Sequence, residues 1–207
     1  MKLDAVDTGS TVRALAEPPE FLQRDNPRLW DEPIAVLSEE IAPWHEHNFP
    51  SWMDHPHQKV LGMTEELGEL AEAIEMSNRT DVADAVGDIV VYMAAYCATQ
   101  GTNLVDIHDG STTEGLSVLT VNEYMLACTK FMGKVSHGRL KTDQGIRGTA
   151  ERHWAQTVVS LQALLNLLSR LCTAFDLELK YAVASTWAKV RRRDWQADRF
   201  RGASGSE

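Results

Sequence analysis

Residues 61–97 read LGMTEELGELAEAIEMSNRTDVADAVGDIVVYMAAYC, and this stretch decides the fold. An α-helix turns 100° per residue. On that wheel Val60, Met63, Leu67, Leu70 and Ile74 fall in one arc about 80° wide, a stripe that must face a core. Val82, Val86, Ile89, Val90, Met93, Tyr96 and Cys97 form a second stripe of the same kind. A short turn through Ser77–Thr80 joins them, so the two helices make an antiparallel hairpin. Glu66 and Glu69 lie beside the first stripe, in line with Gly62 and Ala73. Asp81, Asp88 and Tyr92 lie beside the second, with Asp84 one step further round. Glu65 stands nearly opposite the first core arc, and Glu72 and Glu75 lie on the far side.

Outward from this hairpin the helical period continues, and no alternating strand pattern interrupts it. The periodicity predicts helices at 33–47, 57–76, 81–100, 121–140, 150–174 and 177–195, with Thr80 and Asp176 as N-caps. Pro18, Pro19, Pro27 and Pro33 break every pattern before them, which predicts a flexible leader over 1–32. Residues 201–207 read as a tail. The hairpin also recurs. Displaced by 65 residues, Leu61, Thr64 and Gly68 fall on Leu126, Thr129 and Gly133. Displaced by 73, Val86 falls on Val159 and Leu104 on Leu177. The acids do not recur: Glu65 meets Lys130, Glu69 meets Lys134 and Asp88 meets Leu161. The expectation is one all-α domain over 33–200. Its four-helix core is built from two tandem hairpins, a live one at 57–104 and a degenerate one at 121–177. Flanking helices include a basic C-terminal helix at 177–195.

Composition narrows the function. The chain has 207 residues, 43% of them hydrophobic, and a net charge of -10. That charge argues against nucleic acid or a membrane surface as partner, since both are anionic. A small anionic substrate remains compatible, because a bound metal inverts the local field. Cys97, Cys128 and Cys172 lie far apart within apolar helical runs and read as small buried hydrophobes. The N-terminus carries acids and no apolar run, unlike a secretory signal. The run Ile89–Ala98 is about half the length a membrane-spanning helix needs. The expected location is cytoplasmic.

Carboxylates this close repel one another, so each cluster is either a solvated face or a cation site. Two clusters flanking core stripes on adjoining helices favour a shared groove. Its hard oxygen donors suit Mg²⁺, with Mn²⁺ as the alternative. A ferritin-like di-iron site would need Glu-x-x-His. None of the seven histidines has a glutamate three residues before it.

EELGEL followed by a helix reading DAVGDIVVY resembles the MazG-like, all-α nucleoside triphosphate pyrophosphohydrolases. LKTDQGIRG (140–148) and TWAKVRRRDW (186–195) also look like segments of that superfamily, so the resemblance spans about residues 40–195. The family pattern is Glu-Glu-x-x-Glu and then Glu-x-x-Asp. This chain departs from it at Ala85, where the family has Glu, and Asp84 is the neighbouring acid. The resemblance implies cleavage of a nucleoside triphosphate between its α and β phosphates. Glu66, Glu69, Asp84 and Asp88 would then hold Mg²⁺, which clamps the phosphates and acidifies a bound water. Glu65, Glu66 and Glu69 are the candidate catalytic acids, with Glu65 orienting the water as general base. Lys189 and Arg193 are expected on one face of the last helix, beside Arg192, as phosphate ligands. The alternative is that they serve the helix dipole. The repeat sets Lys130 and Lys134 against acids of the live hairpin. There they bind the leaving pyrophosphate or point to solvent. Phe49 and Trp52 precede the first motif as candidate base-stacking rings, or as core. A homodimer is expected, as is common in the superfamily. The Ala85 departure keeps open an inactive, nucleotide-sensing bundle.

Overall fold

Helix boundaries follow from local chemistry that the computed structural model makes explicit for residues 25–109 and 119–197. Helix α1 spans Pro33–Asn48 and α2 spans Pro56–Glu75, each with a proline preset for the first turn. Helix α3, Arg79–Thr99, is capped by Asn78, whose side chain accepts from the amides of Thr80 and Asp81. The short α4 covers Leu104–Asp109. Helix α5, Val121–Gln144, opens on a capping box between Thr120 and Glu123 and closes on Gly145 at φ 63°. Helix α6, Ala150–Ala174, starts at the Thr149 cap, and α7 spans Leu179–Val190. The chain is all-α.

Several boundaries differ from the sequence expectation. Thr80 lies inside α3, because Asn78 takes the capping role through its shorter reach to two amides. Asp176 is not a cap either: it sits in the loop at φ 52°, and Glu178 precedes the helix. Helix α7 stops at Val190, five residues early. There Asn48 Oδ1 accepts the Trp195 amide at 2.7 Å, and that bond replaces further helical turns. The leader expectation fails from residue 25 onward. Pro27–Trp30 forms a 3₁₀ turn whose Leu29 is buried, with Arg28 paired to Glu32 and Glu39. Residues 1–24 and the expected tail at 201–207 lie outside the described residues.

Helices α2 and α3 pack as one hairpin and α5 and α6 as a second, and the hairpins meet through α2 on α5 and α3 on α6. Helix α7 lies on α3, and α1 covers both. Helix α3 is therefore central. Its Val82, Val86, Ile89, Val90, Met93, Ala94, Ala95 and Cys97 are buried on several sides. Helices α3 and α6 have the length and hydropathy of membrane-crossing segments, yet 67% and 56% of those windows are buried in the fold. A helix apolar on most faces belongs to a protein core as readily as to a bilayer. The three cysteines are buried and free, as expected.

One polar contact ties the ends together. Glu40 on α1 is 5% exposed. Its Oε2 accepts from Trp187 Nε1 and Arg191 Nε, both at 2.8 Å. Its Oε1 accepts from Arg191 Nη2 at 2.8 Å and from Asn26 Nδ2 at 3.1 Å. Breaking a buried pair strands the remaining charge. Glu40→Gln is expected to destabilise the fold by about 3–5 kcal/mol in urea titrations, and Glu40→Met with Arg191→Met to recover most of that loss.

Candidate active site

The acidic flanks of α2 and α3 open on a pocket of about 370 Å³. Glu66 and Glu69 reach it from α2, and Asp88 and Tyr92 from α3. Arg193 and Trp195 enter from the segment after α7. The end of α1 adds Trp44, His45 and Phe49, and the start of α2 adds Gln58 and Lys59. Gly62 is what admits Tyr92. A Cβ at Gly62 would lie 2.4 Å from the Tyr92 ring, so the ring packs directly on the α2 backbone between the two acidic walls.

The electrostatics are those of an anionic site that its nearby bases compensate only in part. Glu66 is pushed up to about 8, first by burial and then by the charges of Asp88, Glu69, Glu65 and Asp84. Asp88 is pushed up to about 6, by burial and by Asp84, with Arg193 opposing. Burial also raises the Tyr92 phenol, and the Glu66 charge adds to the effect. Each shift has the sign of a group that prefers to be neutral unless a cation arrives.

The sequence-derived residues divide into several groups. Glu66, Glu69, Asp88 and Arg193 share the pocket. Glu65 is exposed beside it, close enough for its charge to act on Glu66. Asp84 is half exposed and pairs with Lys189 Nζ at 2.9 Å, so these two neutralise each other at the rim. Arg192 pairs with Asp25 instead. Lys134 does not reach the groove. It lines a different pocket, of about 580 Å³, between α5 and α6, with its ammonium over the Phe131 ring. Trp52 is 4% exposed and donates its indole N–H to Glu46, so it is a packed residue and not a free stacking surface. Phe49, 40% exposed, does face the pocket. Ala85, where the family pattern has an acid, is buried.

Lys59, His45 and Trp195 were not expected there. Lys59 stands seven residues before Glu66, two turns back on the same helical face. That spacing was a readable signal. His45 and Trp195 come from distant elements and gave none.

Among the described residues, no three acidic, imidazole or thiol groups stand together closely enough to hold a metal ion as placed. The donor set nevertheless suits one. Three carboxylates in one pocket offer only oxygen, and burial together with the neighbouring acids raises Glu66 and Asp88, a cost that a divalent cation relieves. Comparison with protein-family models, curated proteins and solved structures finds no match to this chain.

The repulsion predicts a pH signature for the metal-free fold. Glu66 binds its proton more tightly folded than unfolded, so its contribution to stability is complete below about 4.5 and is lost as pH rises through about 8. Glu66→Gln carries no such penalty. In EDTA the variant is expected to melt about 2–4 °C above the parent at pH 8.5 and level with it at pH 4.5, read by calorimetry.

Proposed function

We propose that this chain is a Mg²⁺-dependent nucleoside triphosphate pyrophosphohydrolase of the MazG-like kind, releasing a monophosphate and pyrophosphate. One observation carries the reading: Glu66, Glu69 and Asp88 share one pocket with Arg193, and Glu66 and Asp88 are both driven towards protonation. The EELGEL and DAVGDIVVY motifs supply these residues. On this reading the second hairpin is a degenerate copy of the first, and the two form one four-helix unit.

Glu66, Glu69 and Asp88 would hold the cation. Bound there, it supplies charge neutralisation for the phosphates and a more acidic water. The rest falls to the side chains. Arg193, which lines the same pocket, meets the phosphate oxygens. Lys189 at the rim exchanges Asp84 for the outer phosphates. Phe49 and Trp195 flank the base. Water attacks the α-phosphorus, and the α–β bridging oxygen departs with pyrophosphate. The proton of that water passes to a carboxylate oxygen of Glu65, which remains solvated beside the groove.

A second reading is supported by Ala85 and by the Asp84–Lys189 pair. With the position of the fourth acid buried as alanine and its neighbour occupied, the site could bind nucleotides without cleaving them. One assay separates the two. With Mg²⁺ and a panel of ribo- and deoxynucleoside triphosphates, pyrophosphate release is expected. It should fall at least ~100-fold in Glu69→Gln. Arg193→Ala should lower it by about 10- to 100-fold, the worth of a charge-assisted hydrogen bond. Thermal stabilisation by nucleotide without release would favour the sensor.

A further inference from the structure

The groove between α5 and α6 repeats the position of the acidic pocket with the charge reversed. Displaced by 65 residues, Glu66 falls on Phe131, Glu69 on Lys134, Glu72 on His137 and Ala73 on Gly138. Those four residues of α5 line the pocket of about 580 Å³. From α6 come Arg152, Ala155 and Val159, spaced three and four residues apart and so on one helical face. A Cβ at Gly138 would lie 2.3 Å from Thr157 Oγ1, so the two helices close on each other beside the groove. Val159 is 63% exposed there, and Phe131 is half-buried. A concave, mostly apolar lining with a few charged groups is what small organic ligands occupy.

The bases of this groove have no acids to answer them. The chain carries a net charge of -10, yet among the described residues no acid lines this pocket. Helix α5 has two acids, and both are engaged elsewhere. Glu123 closes the capping box with Thr120, and Asp143 pairs with Arg139. Helix α6 has one, Glu151, which turns back to its own amide and to the Thr149 side chain. Among the described residues Lys130, Lys134 and Arg152 accordingly pair with no carboxylate. The Lys130 and Lys134 ammoniums lie 5.4 and 4.9 Å from the centroid of one ring, that of Phe131. Like charges drawn to one ring repel each other, and an anion in the groove relieves that repulsion.

We propose that the α5–α6 groove binds an organic phosphate monoester, and that it does so without a metal ion. The charge selects the head group. A phosphate monoester carries a charge of about -1.5 to -2 at neutral pH and offers three acceptor oxygens to the bases that line the groove. A carboxylate brings a single charge and leaves the remaining bases unanswered. The apolar lining selects the body. Phe131, Ala155 and Val159 give inorganic phosphate nothing to bind, whereas they cover the apolar part of an ester. In the acidic pocket an anion needs a cation to mediate; here the protein supplies the positive charge itself. The inference does not depend on the hydrolase reading, since none of these residues lines the acidic pocket.

The test is calorimetric titration of the full chain in EDTA with AMP, hexyl phosphate, hexanoate and inorganic phosphate. At least one of the two esters is expected to bind about tenfold or more tightly than hexanoate and inorganic phosphate. The tighter of the esters tells whether the body is ring-bearing or aliphatic. Lys134→Glu and Arg152→Glu should each weaken that binding by about tenfold or more. Both side chains are exposed, so the melting temperature should stay unchanged. Arg193→Ala, in the acidic pocket, should leave the ester affinity as it was. Binding of neither ester, equal affinity for inorganic phosphate, or affinity that survives both charge reversals would overturn the inference. Loss of binding in Arg193→Ala would do the same, by placing the ester in the acidic pocket. So would a dimer in sedimentation that Val159→Asp dissociates, since a second copy would then fill the groove.

Discussion

The Glu40 carboxylate is the contact on which the pocket depends. It lies on α1, yet two of its partners belong to the end of the described chain: Trp187 on α7 and Arg191 just beyond it. Asn26 approaches from the opposite terminus. A buried ion pair seldom adds much net stability, since desolvation consumes its Coulomb energy. What it supplies here is direction. The bidentate grip on Arg191 turns the chain after α7 back along α1. Asn48 then accepts the Trp195 amide at 2.7 Å and, through its carbonyl, the Gln196 side chain at 2.9 Å. Arg193 lies between these two anchors. The segment that carries Arg193 out of α7 is therefore held at both ends by hydrogen bonds to α1.

The contrast between Glu40 and Glu66 separates a buried acid that the fold answers from one that it does not. Both leave water on folding. Glu40 receives four donated hydrogen bonds from Trp187, Arg191 and Asn26, and its charge is fully answered within the protein. Glu66 is surrounded by Asp88, Glu69, Glu65 and Asp84, each of which makes its charge less favourable. A fold that satisfies one buried carboxylate so completely and leaves another among its own kind has spent stability at the second. Such local conflict is the expected mark of a site that a ligand completes.

Much of this was legible in periodicity. The stripes on α2 and α3 and the acids beside them fix which faces meet, because a helix offers only one angle per residue. Glu66, Glu69 and Asp88 accordingly share one pocket. What failed was whatever depended on contacts remote in sequence. Helix α7 carries no glycine or proline stop at Val190; it ends because Asn48, far away on α1, takes the Trp195 amide. Trp52 and Phe49 are three residues apart and look alike as candidate rings. Only the folded chain buries one against Glu46 and exposes the other. Lys134 matched an acid of the first hairpin in register, but the face it lines belongs to α5 and α6. A matching register in sequence does not carry a side chain across a bundle.

The separation of the two walls is set at a third place. The carboxylates stand on α2 and α3, while Arg193 follows α7, so the gap between them depends on how closely α7 lies against α3. At Gly87 a Cβ would fall 2.1 Å from Thr186 Oγ1 and 2.8 Å from the Ala182 carbonyl oxygen. The carbonyl belongs to the α7 backbone and does not move without the helix, and the buried Thr186 Cβ, 2.6 Å away, moves no more freely. The missing side chain at Gly87 therefore sets the distance between helices. Gly87 sits one residue before Asp88, so this close contact is next to an acid of the pocket. Any side chain added at position 87 pushes α7 outward and carries the start of the basic segment with it, though it touches neither wall directly. The spacing across the pocket is thus a property of helix packing, and the acids and the arginine inherit it.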